Sequence, residues 1–151
     1  MFRNLSAPPD EVFLSHSSKD ARFTARLANV LAAYGLKTFL SKRHIVGAQQ
    51  WHDEIGAALK RCDWFAIILS PNSVRSQWVK HELIYALQPN RYRGRILPIL
   101  YRTCDPDKLS WALSAFQRID FRTDFDEGCR QVLSIWEIDY SPAVRQAKRR
   151  R

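Results

Sequence analysis

Residues 64–87 read WFAIILSPNSVRSQWVKHELIYAL, an apolar run that gives way at once to a segment of different rhythm. Trp64 to Ser70 carries no charge and is nearly all apolar, the composition of a strand covered on both faces. From Gln77 to Leu87, Val79, Leu83, Ala86 and Leu87 recur at helical spacing. A buried strand feeding directly into a helix is the repeating unit of an α/β domain.

The same alternation extends in both directions. Four more short runs read as strands: Glu11 to His16 (EVFLSH), Lys37 to Leu40 (KTFL), Arg95 to Tyr101 (RILPILY) and Phe116 to Phe121 (FQRIDF). Between them, Ser18 to Tyr34 places Phe23, Leu27, Val30, Leu31 and Tyr34 on one face and stops at Gly35, the usual residue past a helix end. Trp51 to Arg61, followed by Cys62, and Asp124 to Trp136 show the same rhythm. Asp105-Pro106-Asp107 is a turn, with a short helix expected around Leu109 to Leu113. Five strands alternating with helices over short connections predict a parallel sheet with helices on both faces and strand order 2-1-3-4-5. In that order ligands sit outside the carboxyl ends of strands one and three. The candidate walls are therefore Ser15 to Asp20 and Ser70 to Ser73, with the loop Ser41 to Gln50 overhanging them.

Bulk properties are consistent with one soluble domain. The chain has 151 residues, 46% hydrophobic and 26% charged, which excludes disordered and fibrous classes. No window approaches eighteen uncharged apolar residues, and Met1 to Pro9 lacks the basic start and apolar stretch of a secretory signal, so no membrane partner and a cytoplasmic location are expected. Cys62, Cys104 and Cys129 are odd in number and widely spaced, the pattern of idle thiols. The net charge of +9 points to nucleic acid only at first sight. Arg145, Lys148, Arg149, Arg150 and Arg151 supply +5 of it, leaving +4 on the rest, and no strand interleaves aromatic with basic residues. Nucleic acid is not the expected partner, and residues 140–151 read as a basic tail or linker.

Several chemistries lack their residues. There is no G-x-G-x-x-G and no G-x-x-x-x-G-K-[ST]. A phosphoacceptor site needs acids where this chain has Ser15-His16 and Ser70. Ser15, His16 and Asp20 have no nucleophile elbow, and His44, His52 and His81 lack metal-ligand spacing, so no metal is expected. What stands out is Trp78 and Glu82, four apart on the helix leaving strand three, beside the predicted crevice. A purely structural alternative has Trp78 covering the sheet edge and Glu82 pairing with Lys80 or Arg75 on the surface.

Taken in order, Val12-Phe13-Leu14-Ser15-His16-Ser17-Ser18-Lys19-Asp20, Gly47 and Trp51, Ala66-Ile67-Ile68-Leu69-Ser70-Pro71-Asn72-Ser73, and Trp78-Val79-x-x-Glu82-Leu83 resemble the Toll/interleukin-1 receptor (TIR) domain family, in a form similar to its prokaryotic branch. The likeness spans about residues 10 to 138. It implies a flavodoxin-like fold and one of two functions. Many bacterial, plant and axon-degeneration TIR domains cleave NAD at the nicotinamide–ribose bond, giving nicotinamide and ADP-ribose or its cyclic isomers. Animal receptor and adaptor TIR domains are non-enzymatic scaffolds that signal by TIR–TIR contact.

The enzymes carry a glutamate on the helix after strand three and a tryptophan four residues before it, positions that Glu82 and Trp78 match. The resemblance thus implies Glu82 as the catalytic carboxylate and Trp78 as a substrate contact, with NAD as substrate and no cofactor. His16, Ser17, Ser18 and Lys19 match the first loop, Lys19 or His16 being placed to meet a diphosphate; Ser70 and Asn72 complete the substrate wall. The second loop departs from the family, with Ser41 where an acid is frequent and Val46-Gly47 in place of Pro-Gly. Lys42, Arg43, His44 and Gly47 belong to a loop that in the family packs against a neighbouring domain, so self-association is an expected route to activation. The expected organisation is an extension over 1–9, a TIR domain over 10–139 and the tail, with room for a sensor domain beyond Arg151 and a role in prokaryotic antiviral defence.

Overall fold

A computed structural model describes residues 5–41 and 48–142. Five parallel strands, β1 (Glu11–Ser15), β2 (Lys37–Leu40), β3 (Trp64–Leu69), β4 (Ile96–Leu100) and β5 (Ile119–Asp120), form one sheet in the order β2-β1-β3-β4-β5, as the alternation predicts. The helices are α1 (Ala21–Ala33), α2 (Ala48–Arg61), α3 (Gln77–Ala86) and α4 (Phe125–Ile135). No described helix is long and apolar enough to cross a membrane.

The period of two in the strands sorts their side chains onto two cores. Val12, Leu14, Trp64, Ala66 and Ile68 pack with α1 and α4, whereas Phe13, Phe65, Ile67 and Leu69 pack with α2 and α3. All residues of β1, β3 and β4 are buried, which is why these strands read as continuous apolar runs. Helix ends follow local chemistry. Ser76 Oγ accepts from the Val79 amide (3.3 Å) to start α3, and the Asp124 carboxylate accepts from the Asp126 and Glu127 amides to start α4. Gly35, at φ +78°, lets the Leu36 amide return to the Leu31 carbonyl and close α1.

The structure corrects several boundaries; the short helix expected around Leu109 to Leu113 is two 3₁₀ turns, Pro106–Lys108 and Trp111–Ala115. Strand five is expected over Phe116 to Phe121 but holds only Ile119–Asp120, because the 3₁₀ turn Trp111–Ala115 captures the Phe116 amide on the Leu113 carbonyl. The expected helix from Ser18 begins as a 3₁₀ turn, Ser18–Asp20, before α1. The loop expected to run to Gln50 ends where α2 begins at Ala48. Cys62 and Cys129 are buried and Cys104 half-buried; burial pushes the Cys62 thiol up to about 12, so it stays protonated and idle.

At the amino-terminal pole, Glu11 is buried and accepts from Arg61 Nε (2.9 Å) and Nη2 (3.0 Å). Its pKa is held below the ordinary 4.5, chiefly by that Arg61 hydrogen bond against the opposing effect of burial. A depressed folded-state pKa contributes stability above the unfolded value and loses it as pH falls through the folded one. Urea titrations at descending pH are therefore expected to show a steep loss below pH 4.5 in the wild type and a flatter one in Glu11→Gln; equal slopes would assign the acid sensitivity to other carboxylates.

Candidate functional site

The parallel register brings Ser15, the last residue of β1, alongside Ile67 of β3, and α3 packs across both strands. Val79, Leu83 and Ala86 anchor α3 in the core, and that rotation turns Glu82 inward, to 2% exposure. Ser15 Oγ donates to Glu82 Oε1 at 2.8 Å across 67 residues of chain. The surface alternative for Glu82, a pair with Lys80 or Arg75, is therefore not the arrangement found: an acid this buried is held by the sheet, not by solvent.

One turn earlier on α3, Trp78 is half-buried and meets Trp51 of α2 edge to face, centroids 4.4 Å apart at 81°. The rings of His52 and His81 also stand steeply inclined to Trp78, with centroids 6.3 and 5.8 Å away at 65° and 83°. Trp78 and Glu82 line one cavity of about 240 Å³ in the seam between α2 and α3. Its other walls include the apolar Ile55 and Leu59 and the half-buried Tyr85. A carboxylate fixed in an apolar, aromatic-walled cavity acts through a low local dielectric, so a developing positive charge beside it gains more than it would in water.

A second cluster joins the two loops at the switch point. Asp20 accepts from Ser70 Oγ (2.5 Å) and from Asn72 Nδ2 (2.9 Å), while Ser70 Oγ accepts from the Asn72 and Ser73 amides. Asp20 precedes α1 yet makes no side-chain cap there, because its carboxylate is turned to the β3 loop. Ser70 and Asn72, expected as substrate contacts, hold this network together. His16 is buried and its Nδ1 donates to the Leu14 carbonyl (3.1 Å); Ser17 accepts from the Lys19 amide (3.3 Å); Ser18 and Lys19 are exposed, and none of these four lines the cavity that holds Trp78 and Glu82. Ser41 is buried, and among the described residues its hydroxyl has no hydrogen-bond partner. Lys42, Arg43, His44 and Gly47 lie outside the described residues, as do 1–4 and 143–151.

Trp78 and Glu82 thus come together in one cavity, whereas Ser70 and Asn72 belong to the Asp20 cluster. Sequence reasoning named Ser15 and Asp20 only as part of a candidate wall and Trp51 only within the family-like pattern, gave none of the three a role, and did not single out Tyr85. The switch-point rule does point to Ser15 and Asp20 by position. Trp51 falls in the apolar spacing of its helix and reads as ordinary core without the family-like pattern, and nothing local marks Tyr85.

Comparison with known proteins agrees with this architecture. A family model described as the TIR domain matches residues 12–133. TMV resistance protein N of Nicotiana glutinosa is 29% identical over 94 residues, which are 60% of this chain and 8% of that protein. Among solved structures, the TIR domains of the activated Roq1 resistosome that directly recognizes the pathogen effector XopQ superpose at a TM-score of 0.65 with 20% identity, covering 82% of this chain and 97% of that one. The TIR domain of the Toll-related receptor TRR-2 from Hydra magnipapillata superposes at 0.62 with 21% identity, covering 82% and 90%. A prokaryotic SEFIR domain superposes at 0.60 with 14% identity, covering 85% and 99%.

Proposed function

We propose, from the premise that this chain belongs to the TIR domain family, that it cleaves the nicotinamide–ribose bond of NAD. The observation that carries this reading is Glu82, buried to 2% exposure, held by Ser15 and sharing an apolar cavity with Trp78. A receptor TIR domain and a resistosome TIR domain superpose on this chain about equally well, so shape does not separate enzyme from scaffold. A buried acid in a cavity does favour the enzyme, because burying a carboxylate costs stability that a binding module has no reason to spend.

The chemistry needs little more than that carboxylate. The nicotinamide ring of oxidised NAD is already cationic, so the bond from ribose C1′ to the ring nitrogen breaks with its electron pair going to the ring. Nicotinamide leaves neutral and requires no general acid. Positive charge then develops on C1′ and the ring oxygen of ribose, and Glu82 stabilises it while accepting hydrogen bonds from the ribose hydroxyls. Water attacks C1′ and releases a proton, giving ADP-ribose; attack by an adenine nitrogen gives a cyclic isomer. Ser15 orients the carboxylate, and Trp78 offers its π-face to a cationic or flat ring.

Assembly of TIR domains in the Roq1 resistosome and the name of the tobacco resistance protein support two further parts of the reading: activation by self-association and a role in defence. The test is incubation of concentrated purified protein with NAD, following nicotinamide by chromatography. Release of nicotinamide in step with ADP-ribose or a cyclic isomer is expected. An assembled protein that leaves NAD intact would return the chain to the scaffold reading.

A further inference from the structure

We propose that His52 and His81, one on each side of the seam between α2 and α3, hold the diphosphate of the dinucleotide, so that its affinity follows the protonation of these two imidazoles. The identity of the anion rests on the enzyme reading above; the placement of the two rings does not. The first-loop residues expected to meet a diphosphate do not line the cavity that holds Glu82: His16 is buried with its Nδ1 on the Leu14 carbonyl, and Lys19 is exposed elsewhere. The basic side chains that do line it are His52, Lys60 and His81. In a dinucleotide the first phosphorus is joined to the ribose through C5′ and one oxygen, so a ribose held at Glu82 keeps that phosphate within a few bonds of a carboxylate. Like charges this close repel, and the arrangement needs cations at the rim.

Helical spacing decides which cations serve. His52 and Lys60 share one stripe of α2, His52 near its start and Lys60 near its end, beside the Arg61 that is tied to Glu11. His81 lies one turn after Trp78, at the start of α3. Both imidazoles stand beside the Trp78 ring, at centroid distances of 6.3 and 5.8 Å, so the two histidines border the same end of the cavity. Both are exposed, and among the described residues neither ring takes part in a hydrogen bond or an ion pair. Their charged neighbours are Asp53 and Glu54 on α2 and Lys80 and Glu82 on α3. With both rings neutral, Asp53, Glu54 and Glu82 outnumber Lys60 and Lys80; two imidazoliums reverse that balance. An imidazolium donates a charge-assisted hydrogen bond to a phosphate oxygen, and histidine is the side chain that gains its charge between pH 8 and pH 5.

The test is calorimetric titration of ADP-ribose, which carries the diphosphate and has no nicotinamide to lose, into the full chain at about pH 5.5 and about pH 8. Affinity is expected to be about tenfold higher at the lower pH, with protons taken up from the buffer on binding. The double variant His52→Gln, His81→Gln should bind about tenfold more weakly at the lower pH and show no pH dependence. Neither side chain has a polar partner to lose, so the melting temperature should hold. His52→Lys with His81→Lys supplies fixed charges and should carry the tight binding over to the higher pH, which a merely structural role would not do. Equal wild-type affinity at both pH values, unchanged affinity in the glutamine variant, or no binding of ADP-ribose at either pH would overturn the proposal. Nicotinamide release from NAD, measured in parallel, separates the two ideas. If the glutamine variant cleaves NAD with the wild-type KM at the lower pH, the diphosphate contact falls and the enzyme stands. If ADP-ribose binds with the expected pH dependence and no NAD is ever cleaved, the enzyme reading falls and the anion site remains.

Discussion

Glu82→Gln is expected to reduce NAD turnover by about 10²–10³-fold, the usual consequence of removing one preorganised electrostatic stabiliser. The amide keeps the size and planarity of the carboxylate, and its oxygen can still accept from Ser15 Oγ, now 2.8 Å from Glu82 Oε1. What it lacks is the negative charge facing the ribose when C1′ becomes cationic. That interaction grows between bound substrate and transition state, so the loss falls on kcat more than on KM. The melting temperature should change little, since a neutral group replaces a charge buried to 2% exposure. Single-turnover release of nicotinamide by wild type and variant at equal assembly state is the measurement. A variant within about threefold of wild type would remove Glu82 from the chemistry, because a threefold change is under 1 kcal/mol of barrier.

The second large effect is on stability. Asp20→Ala is expected to cost about 2–4 kcal/mol, since it removes two hydrogen bonds to a charged acceptor, each worth roughly 1.5–3 kcal/mol and not fully additive. Asp20 is 3% exposed, and its two partners, Ser70 Oγ and Asn72 Nδ2, lie 50 and 52 residues away in the chain. Truncation leaves the Ser70 hydroxyl without its acceptor in a buried place and unties the loop after β3 from the start of α1. Asp20→Asn retains one acceptor oxygen and should lose less. Urea unfolding gives the answer: the midpoint should drop in the order wild type, Asn, Ala with a constant m-value. A change below about 0.5 kcal/mol for Asp20→Ala would make the cluster an ordinary surface arrangement.

Particular elements show how far local pattern reaches. The runs at Glu11–Ser15, Trp64–Leu69 and Ile96–Leu100 are legible because burial on both faces removes polar residues from them, and the strand order follows from alternation with short connections. β5 is misread in length because Phe116-Gln117-Arg118 has the composition of an edge strand, while its first amide is taken by the preceding 3₁₀ turn. The Asp20 carboxylate next to a helix start looks like a cap; it turns instead to the β3 loop, where two donors converge. Nothing in the local spacing singles out Tyr85, and only the seam between α2 and α3 reveals it as a wall of the cavity, with Trp51 behind it against Trp78.

By itself the sequence determined the parallel five-stranded sheet and the placing of Trp78 one turn before Glu82, for each of these is written in spacings of two, four or a few residues; the cavity lies between α2 and α3, and its lining includes none of the loop residues 15–20 and 70–73 expected as walls. The tertiary structure alone decided that Glu82 is buried, that Ser15 holds it, that Asp20 gathers Ser70 and Asn72, and that a cavity opens between α2 and α3. These depend on contacts between residues 50 to 67 positions apart and on how two helices settle beside each other. Local periodicity records which face of an element is apolar; it does not record which polar atom waits on the element opposite.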